Sequence, residues 1–294
     1  MKTYTIKNFD KQFPDDNACL EFLYKARYPK GVTCRKCQKV TTHYRITSRK
    51  VYCCEFCGHT VSPTANTIFH KSDTPLRSWF HAIFIMSSTR TGISAKQLQR
   101  ELGVTYKTAW RMFKQIRQLM QDSPNALFGQ VEVDDTYIGG KRTGKRGRGA
   151  EGKTIVIGMV ERKGNAVAKV VPDVKASTLL PVITKHAPNT EDTTIYTDEL
   201  TSYNRINKLG YAHEVVQHAA KQYVCGKAHV NTVESLWSTI KRGIDGVNHS
   251  VRPQYLQSYL DSYLYRYNHR KDETPMFLSL LERISSLAVV EQPS

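Results

Sequence analysis

The sequence predicts an α+β protein in three parts: a small metal-binding ribbon, a helical unit, and a mixed sheet with flanking helices. Six of its seven cysteines precede residue 60. Apolar residues recur at helical spacing from about residue 73 to residue 120, and β-branched runs alternate with helical stretches beyond residue 126. Such an order is typical of a sheet with helices packed against it. We therefore place the ribbon at 1–62, the helical unit at 63–122 and the sheet domain at 126–290.

The charge of the chain indicates a polyanionic partner. The 294 residues include 43 Lys+Arg and 26 Asp+Glu, a formal net charge of +17 at pH 7, and this excess predicts a polyanion such as nucleic acid as the partner. The helix-turn-helix pattern described below makes double-stranded DNA the expected polyanion. Residues 1–125 hold 21 basic and 8 acidic residues, so this part should supply most of the nonspecific attraction. There is no uninterrupted apolar run of ~18 residues and no apolar signal core. We expect a cytoplasmic protein rather than a membrane or secreted one.

Two CxxC pairs predict a structural zinc site in the ribbon. Sixteen residues separate the pairs, and this spacing fits a site of four thiolates with no open coordination position. The predicted ligands are Cys34, Cys37, Cys54 and Cys57. Cys53 competes with Cys54, but only Cys54 leaves two residues before the next cysteine. His43 and His59 are either substitute ligands or surface residues, and free thiols or a redox pair are the alternative for the whole set.

The helical unit has the pattern of a helix-turn-helix. Its first helix starts at Pro75, Ser94 and Thr105 cap the next two, and Gly103 separates them. The polar start of the third helix suits entry into the major groove of DNA. The predicted DNA-binding residues are Tyr106, Lys107, Thr108, Arg111 and Lys114, with Arg117 as a further candidate for phosphate contact. A plain three-helix unit with a solvated basic face is the alternative.

The sheet domain begins with three consecutive strands and continues with alternating helices and strands. The predicted strands are 131–135, 154–161, 166–171, 193–199 and 213–216, and the predicted helices are 176–186, 202–209, 233–242 and 255–270. This order predicts a mixed sheet with helices on its flanks.

A Gly-rich basic loop, residues 139–153, joins the first two strands of this sheet. Its basic residues are expected to grip DNA phosphates, and a merely solvated loop is the alternative. These residues are Lys141, Arg142, Lys145, Arg146 and Arg148. The stretch from Gly147 to Thr154 also matches the P-loop pattern, but a P-loop precedes a helix and here a strand-like run follows. The sequence therefore predicts no nucleotide cofactor.

Three acidic residues form the predicted catalytic site: Asp134 on the first strand, Asp198 at the end of the fourth strand and Glu234 on a late helix. Each alone is more often a solvated surface charge, and their placement on these elements makes them candidates. Three carboxylates brought together repel one another unless cations neutralise them. Two Mg²⁺ ions ~3.5–4 Å apart would do so and would promote displacement at phosphorus.

Periodicity gives these acids their direction. Glu132 and Asp134 share one face of the first strand because side chains alternate along it. In the late helix, Asn231, Glu234 and Lys241 fall on a polar arc beside an apolar stripe. A carboxylate beside the buried stripe is well placed to face an adjoining sheet.

Several segments together carry a resemblance to a known family. They are CEFCGHTVSPTANTIFH, VEVDDTYIGGK, IYTDEL, HVNTVESLWSTIKRG and YRYNHR. From about Phe13 to Arg270 the chain resembles the IS1595-type (ISXO2-like) insertion-sequence transposases with a DDE catalytic domain. The resemblance implies a ribonuclease-H-like fold for the sheet domain.

The resemblance also implies roles for particular residues. It makes Asp134, Asp198 and Glu234 the ligands of Mg²⁺ or Mn²⁺, and it makes Asn231 and Lys241 supporting residues of the catalytic site. The chain departs from the family at Asp135, where Glu is usual. Strand parity and the register of the motif both favour Asp134 as the ligand.

The expected function is that of a DNA transposase. The chain would bind the terminal inverted repeats of its element, cut the DNA and join the freed end to target DNA, acting as a homodimer or larger assembly on a bacterial chromosome or plasmid. The zinc would be structural, and no membrane or nucleotide would be involved. The rival functions are a non-enzymatic DNA-binding regulator and a nuclease of the same fold that cuts without joining.

Overall fold

The computed structural model describes residues 4–122, 126–139, 152–216 and 229–290, with side chains described up to residue 285. Contacts divide the chain into two compact units. The first unit comprises Met1–Thr89, Ala95–Leu119 and Lys271–Ser294, and the second comprises Arg90–Ser94 and Met120–Arg270.

The first unit begins with two helices, where the sequence predicts only the ribbon. α1 spans Ile6–Gln12 and α2 spans Asp16–Arg27. Each helix starts at a capping side chain: Thr5 Oγ1 accepts from Asn8 N at 3.3 Å, and Asp15 Oδ1 accepts from Ala18 N at 2.8 Å. α1 has only 7 residues, so the periodicity that reveals a helix has little length in which to appear.

The ribbon consists of short antiparallel strands. Their bounds are β1 Val32–Thr33, β2 Val40–Thr41, β3 His43–Ile46, β4 Val51–Cys54 and β5 Thr60–Val61. β1 pairs with β2, while β3, β4 and β5 form a three-stranded sheet in that order. Strands this short are marginal by themselves, so the ribbon depends on the cross-link that its cysteines can supply.

All three predicted helices of the helical unit are present. α3 spans Leu76–Ser88, α4 spans Ala95–Leu102 and α5 spans Tyr106–Leu119. Gly103 separates α4 from α5 with a φ of +63°, a left-handed conformation that suits glycine. Thr105 caps α5, because its Oγ1 accepts from Thr108 N at 3.3 Å. The α4–turn–α5 segment thus has the element order of the predicted helix-turn-helix.

The last helix, α9 (Met276–Val290), belongs to the first unit, although the sequence analysis assigns 126–290 to one domain. Its Phe277 is 2% exposed and packs among the aromatic rings of that unit. The ring centroids lie 5.7 Å from Phe9, 5.8 Å from Phe13 and 5.7 Å from Phe84. An apolar helix can join any core within reach of the chain, and its local pattern does not indicate which one.

The second unit is built on a five-stranded mixed sheet. Its strands are β6 Gln130–Ile138, β7 Thr154–Glu161, β8 Ala166–Val171, β9 Thr194–Thr197 and β10 Ala212–Val215. The spatial order is β10-β9-β6-β7-β8. β6, β7 and β8 pair antiparallel, whereas β9 runs parallel to β6 and β10 runs parallel to β9. This order and these directions are those of a ribonuclease-H-like sheet, so the predicted fold class is confirmed.

Helices pack on both faces of this sheet. Their bounds are α6 Ala176–His186, α7 Asn231–Gly243 and α8 Pro253–Asn268, with short helical turns at Thr201–Arg205, Asn207–Leu209 and Ile244–Asn248. Val131 and Val133 of β6 belong to the apolar core on the α6 side. Ile138 of β6 belongs to the core that includes Trp237 of α7. Even-numbered residues of β6 therefore face α7, as the alternation predicts.

Within the described ranges, no helix has both the length and the apolar character needed to cross a bilayer.

Candidate functional site

The four predicted zinc ligands meet at one point of the ribbon. Their Sγ atoms all lie within 4.8 Å of one another. The Sγ–Sγ distance is 3.4 Å between Cys34 and Cys57 and 3.8 Å between Cys37 and Cys54. Zn–S bonds of ~2.3 Å in a tetrahedron hold their sulfurs roughly 3.8 Å apart. The sulfur positions therefore fit one zinc ion.

The two cysteine knuckles fold alike, but their thiols have different electrostatic environments. Gln38 N donates to Cys34 O at 2.8 Å, and Gly58 N donates to Cys54 O at 3.1 Å. The Thr41 hydroxyl lies 3.3 Å from Cys54 Sγ. Together with backbone amides of the knuckle, it lowers the pKa of the Cys54 thiol to about 5. A backbone hydrogen bond at His59 favours the thiolate of Cys57, but burial and the sulfurs of Cys34, Cys54 and Cys37 outweigh it and raise the pKa of Cys57 to about 12. Zinc binds the thiolate form, so metal binding should release protons from this cluster.

The competing candidates do not join this cluster. Cys53 is adjacent to Cys54 on β4 and therefore points to the other face of the strand. His43 is 4% exposed and its Nδ1 lies 3.2 Å from Thr41 O, so it is neither a surface residue nor a ligand. Among the described residues, His59 is also absent from the group of ligand atoms that meet.

The predicted DNA-binding residues of α5 lie near its start. Tyr106, Lys107 and Lys114 are exposed, and Thr108 is half-buried. Arg111 is exposed as a residue, but its guanidinium donates to Ser72 Oγ at 2.9 Å. The Thr108 hydroxyl lies 3.0 Å from Thr105 Oγ1, and Lys96 Nζ lies 5.7 Å from the ring centroid of Tyr106. The guanidinium carbon of Arg111 also lies 5.7 Å from the ring centroid of Trp79, so Arg111 would exchange both contacts to reach a base.

The expectation that Arg117 contacts phosphate is wrong. The residue is 2% exposed, and its guanidinium carbon lies 4.4 Å from the ring centroid of Phe113. Its Nε donates to Phe113 O at 3.4 Å. Arg117 lies one turn beyond Phe113 and next to the buried Ile116, so it falls on the packed side of α5.

Two of the predicted catalytic acids lie side by side on adjacent parallel strands. Val133 of β6 is in register with Thr197, the last residue of β9. Asp134 is the next residue of β6, and Asp198 is the residue that follows β9. Neighbouring strands lie ~4.8 Å apart, so the two carboxylates start from adjacent backbone positions. Asp198 is further oriented by a turn, because its Oδ1 accepts from Leu200 N at 3.1 Å.

Helix α7 brings Glu234 to the same face of the sheet. Trp237, one turn further along this helix, is 4% exposed and donates from Nε1 to Asp134 Oδ2 at 3.1 Å. Gly158 of β7, the cross-strand partner of Asp134, makes room for the indole, since a Cβ there would lie 2.3 Å from Trp237 Cζ2. Glu234 is exposed on α7, and its negative charge helps to raise the pKa of Asp134.

The electrostatics of Asp134 follow from this convergence. Burial, and then the charges of Asp135, Asp198 and Glu234, raise the pKa of Asp134 to about 7. Burial also lowers the pKa of Lys241, whose charge lies close enough to Asp134 for the two to interact. A half-buried acid with three further acids beside it is stabilised in its ionised form by a cation.

The three acids lie further apart than the four cysteines. Among the described residues, the four cysteines are the only group of three or more metal-ligating side chains whose atoms all lie within 4.8 Å of one another. The carboxylate oxygens of Asp134, Asp198 and Glu234 are thus more widely spaced, as mutually repelling groups are. Carboxylate oxygens from two strands and a helix are hard ligands, which fit Mg²⁺ or Mn²⁺.

Comparison with known families covers both sites. Residues 14–60 match the transposase zinc-ribbon domain, and residues 126–268 match the ISXO2-like transposase domain. The first range contains the four clustered cysteines and the second contains all three acids. The chain belongs to the ISXO2-like transposase family.

A relative of this transposase-family chain is known from Halobacterium salinarum. It is described as an uncharacterized protein in transposable element ISH50 and is 29% identical over 273 residues, which cover 85% of this chain and 91% of the relative.

Two solved structures show weak similarity to this transposase-family chain. One is a chain of the simian T-cell lymphotropic virus intasome in complex with PP2A regulatory subunit B56 gamma, with a TM-score of 0.30 and 12% identity over 63% of this chain and 65% of that one. The other is a chain of a pre-cleavage Mos1 transpososome, with a TM-score of 0.28 and 13% identity over 71% of this chain and 77% of that one. The fold assignment rests on the order of the sheet and not on these similarities.

Sequence reasoning on this transposase domain missed the part played by Glu132. The residue is fully buried, and its carboxylate binds Arg162, Thr232 and Val233. The sequence places Glu132 on the face of Asp134 but gives no sign of a partner, because Thr232 lies 100 residues later. The one available signal was a charged residue inside an apolar strand, which is rarely buried without a partner.

The remaining candidate residues of the transposase site differ in exposure, and some lie outside the described ranges. Asn231 is exposed at the first residue of α7, three residues before Glu234, and Lys241 is half-buried one turn beyond Trp237. His229, a candidate for proton transfer or a surface position, is 28% exposed with Nδ1 lying 3.1 Å from Glu132 Oε1. The residues that fall outside the described ranges are His218, Lys141, Arg142, Lys145, Arg146 and Arg148.

Proposed function

We propose that the chain is a DNA transposase that binds the terminal inverted repeats of its element and catalyses metal-dependent strand cleavage and strand transfer. The observation that carries this proposal is the convergence of Asp134, Asp198 and Glu234 on one face of a ribonuclease-H-like sheet. Membership of the ISXO2-like transposase family supports the same function.

The three acids would hold two Mg²⁺ or Mn²⁺ ions. When bound, such ions activate a nucleophile and stabilise the leaving oxygen in a displacement at phosphorus. Trp237 Nε1 donates a hydrogen bond to Oδ2 of Asp134, and this bond orients the carboxylate. The amide of Leu200 fixes Asp198 in the same way. Both acids are thereby held in one orientation before a ligand arrives, which lowers the cost of ordering them.

Lys241 would supply positive charge close to Asp134. Its pKa is lowered by burial, and the nearby Asp134 charge works in the opposite direction. A partly buried ammonium beside the acids is suited to hold a DNA phosphate there. Asn231, exposed one turn before Glu234, would add an amide to the same side of the site.

One carboxylate site can serve both reactions. In cleavage, water attacks a phosphodiester and releases a 3′-hydroxyl. In strand transfer, that hydroxyl attacks a target phosphodiester and displaces another 3′-oxygen. Each reaction breaks one P–O bond and forms one, so no nucleotide energy source enters the balance.

DNA recognition belongs, in this proposal, to the first unit. Tyr106, Lys107 and Thr108 at the start of α5 would read base edges together with Arg111, and Lys114 would contact a phosphate. The zinc would hold the ribbon in shape and take no part in the chemistry. The basic residues of the segment 139–153 would add phosphate contacts.

The proposed assembly is a homodimer or larger complex, because two ends of one element must be brought together for transposition. The proposed location is the cytoplasm of a bacterial cell, on its chromosome or plasmids.

A strand-transfer assay tests the proposal directly. A labelled duplex that ends in the terminal repeat with a free 3′-hydroxyl is incubated with target plasmid and Mg²⁺, for the wild type and for Glu234→Gln. Joined product from the wild type and none from the variant supports the proposal. Cleavage without joining would identify a nuclease, and specific binding with neither product would identify a regulator.

A further inference from the structure

Helix α7, which carries Glu234, has no cap of its own. Its N-cap residue is Val230, which has no side-chain acceptor. The first-turn amides, which have no acceptor within the helix, instead donate to Glu132 of β6. Thr232 N donates to Oε2 at 2.7 Å and Val233 N donates to Oε2 at 3.1 Å. An N-cap residue normally supplies these bonds from within the helix. Here a strand 100 residues earlier supplies them.

Arg162 completes this contact. Its Nε donates to Glu132 Oε1 at 2.7 Å, and its other nitrogens donate to Gln130 Oε1 at 3.2 Å and His229 O at 2.8 Å. The guanidinium carbon lies 4.2 Å from the ring centroid of Tyr196. Arg162 thus neutralises the buried carboxylate and joins the ends of β6 and β7 to the residues that lead into α7.

Both oxygens of Glu132 are fully occupied. Oε1 accepts from Arg162 and from Thr232 Oγ1 at 2.8 Å, and Oε2 accepts the two amides. The side chain is 0% exposed. A carboxylate in this state has no lone pair to offer an ion, so Glu132 is not a fourth metal ligand.

We infer that Glu132 is a positioning residue that sets the place of Glu234 relative to Asp134. It lies two residues before Asp134 on the same face of β6, and the amide of Val233, the residue next to Glu234, donates to it. One strand thereby carries a catalytic acid and also fixes the helix that carries another. The inference rests on the proposed function, because it takes Asp134 and Glu234 to be metal ligands.

A second contact makes the arrangement rigid. Trp237 Nε1 binds Asp134 one turn after Glu234, so α7 is fastened to β6 on both sides of the acid. With two attachment points, the first turn of α7 can neither unwind nor slide along the sheet without breaking a buried hydrogen bond. Loss of the Glu132 attachment should free the first turn and leave the second attachment in place.

The test compares Glu132→Gln with Glu161→Gln in the zinc-loaded, full-length protein. Glu161→Gln is the control, because it removes one carboxylate charge at the end of β7. Glu161 pairs with Val131 and lies away from α7. Amide hydrogen exchange at residues 232–234 is measured without divalent metal, and Mn²⁺ binding is measured by titration calorimetry. If Glu132→Gln alone fails to fold, Glu132→Gln/Arg162→Gln removes the stranded guanidinium and carries the same test.

The expected result is faster exchange at residues 232–234 and Mn²⁺ affinity about 10- to 100-fold weaker in Glu132→Gln, the range typical of residues that orient metal ligands. Glu161→Gln should match the wild type in both measurements. Wild-type exchange and affinity in Glu132→Gln, or equal losses in Glu161→Gln, would overturn the inference. If instead wild-type Mn²⁺ binding survives Asp134→Ala, the proposed function fails, and the exchange measurement still decides the role of Glu132.

Discussion

At the scale of single residues, Asp134 couples metal binding to pH. Burial and the neighbouring acids raise its pKa to about 7, so a proton competes with the cation for this carboxylate near neutrality. The apparent affinity for Mn²⁺ should therefore rise as the pH increases through about 7 and then level off. Titration calorimetry at a series of pH values measures this rise, and Asp134→Asn should lack it. Affinity that does not change across this range in the wild type would contradict the argument.

The same residue predicts how the stability of the metal-free protein depends on pH. The pKa of Asp134 is higher in the folded chain than its ordinary value of 3.8. Protonated Asp134 therefore favours folding, and this contribution is complete below the ordinary pKa and is lost as the pH rises through about 7. Thermal unfolding without divalent metal should show a fall in Tm over this interval that is smaller in Asp134→Asn. Added Mg²⁺ should restore the wild-type Tm at the upper end, and a fall of equal size in the variant would contradict the assignment.

At the scale of elements, the ribbon should depend on its metal. Cys37→Ser removes one of four clustered thiolates and should lose the zinc and unfold the ribbon, because metal binding of ~10–16 kcal/mol supplies most of the stability of such small domains. Elemental analysis should find one zinc per wild-type chain and none in the variant. Cys53→Ser is the matched control, since Cys53 lies outside the cluster, and it should keep the metal. Wild-type protein purified without chelators that contains no zinc would refute this prediction.

Residues in the first turns of α5 should contact DNA bases, and Lys114 in the following turn should contact a DNA phosphate. Arg111→Ala should cost ~1–3 kcal/mol on terminal-repeat DNA and little on random DNA if the side chain makes a bidentate base contact. Lys114→Ala should weaken both alike and reduce the salt dependence by ~0.9 log units. Fluorescence anisotropy across salt concentrations measures both effects. Equal losses on the two DNAs for Arg111→Ala would contradict its role in reading bases and would indicate a phosphate contact instead.

The elements that sequence predicted best are those with a strong local pattern. β7 and β8 match their predicted bounds, and α6 matches its own, because β-branched runs and a helical period are local properties. α1, α2 and α9 were missed as elements, and α1 has only 7 residues in which a helical period can appear. Their packing partners lie far away in sequence, as the contact of Phe277 with Phe9 shows.

The candidate site divides in the same way. Strand parity placed Asp134 on the face that α7 covers, and helical periodicity placed Glu234 and Lys241 on one arc of α7. Neither pattern contains the contact between Glu132 and Thr232 or that between Trp237 and Asp134, because hydrogen bonds between distant segments have no local signature. Arg117 shows the opposite error, in which a charged residue assigned to DNA is packed against Phe113.

At the scale of the whole molecule, affinity for DNA and catalysis should come from different parts of the chain. Residues 1–125 hold 21 of the 43 basic residues and only 8 of the 26 acidic ones, so attraction to DNA should come largely from there. The three acids serve to place cations and contribute nothing to affinity for a polyanion. Binding and catalysis should therefore be separable by substitution.

The most direct measurement compares four alanine variants in terminal-repeat binding, cleavage and strand transfer with Mg²⁺. Asp134→Ala, Asp198→Ala and Glu234→Ala should each abolish both reactions while leaving binding close to that of the wild type, because each removes a metal ligand and no DNA contact. Asp135→Ala is the internal control: Asp135 points to the opposite face of β6 from Asp134 and should keep substantial activity. Strand transfer at the wild-type rate by Glu234→Ala, or an inactive Asp135→Ala beside an active Asp134→Ala, would contradict the account.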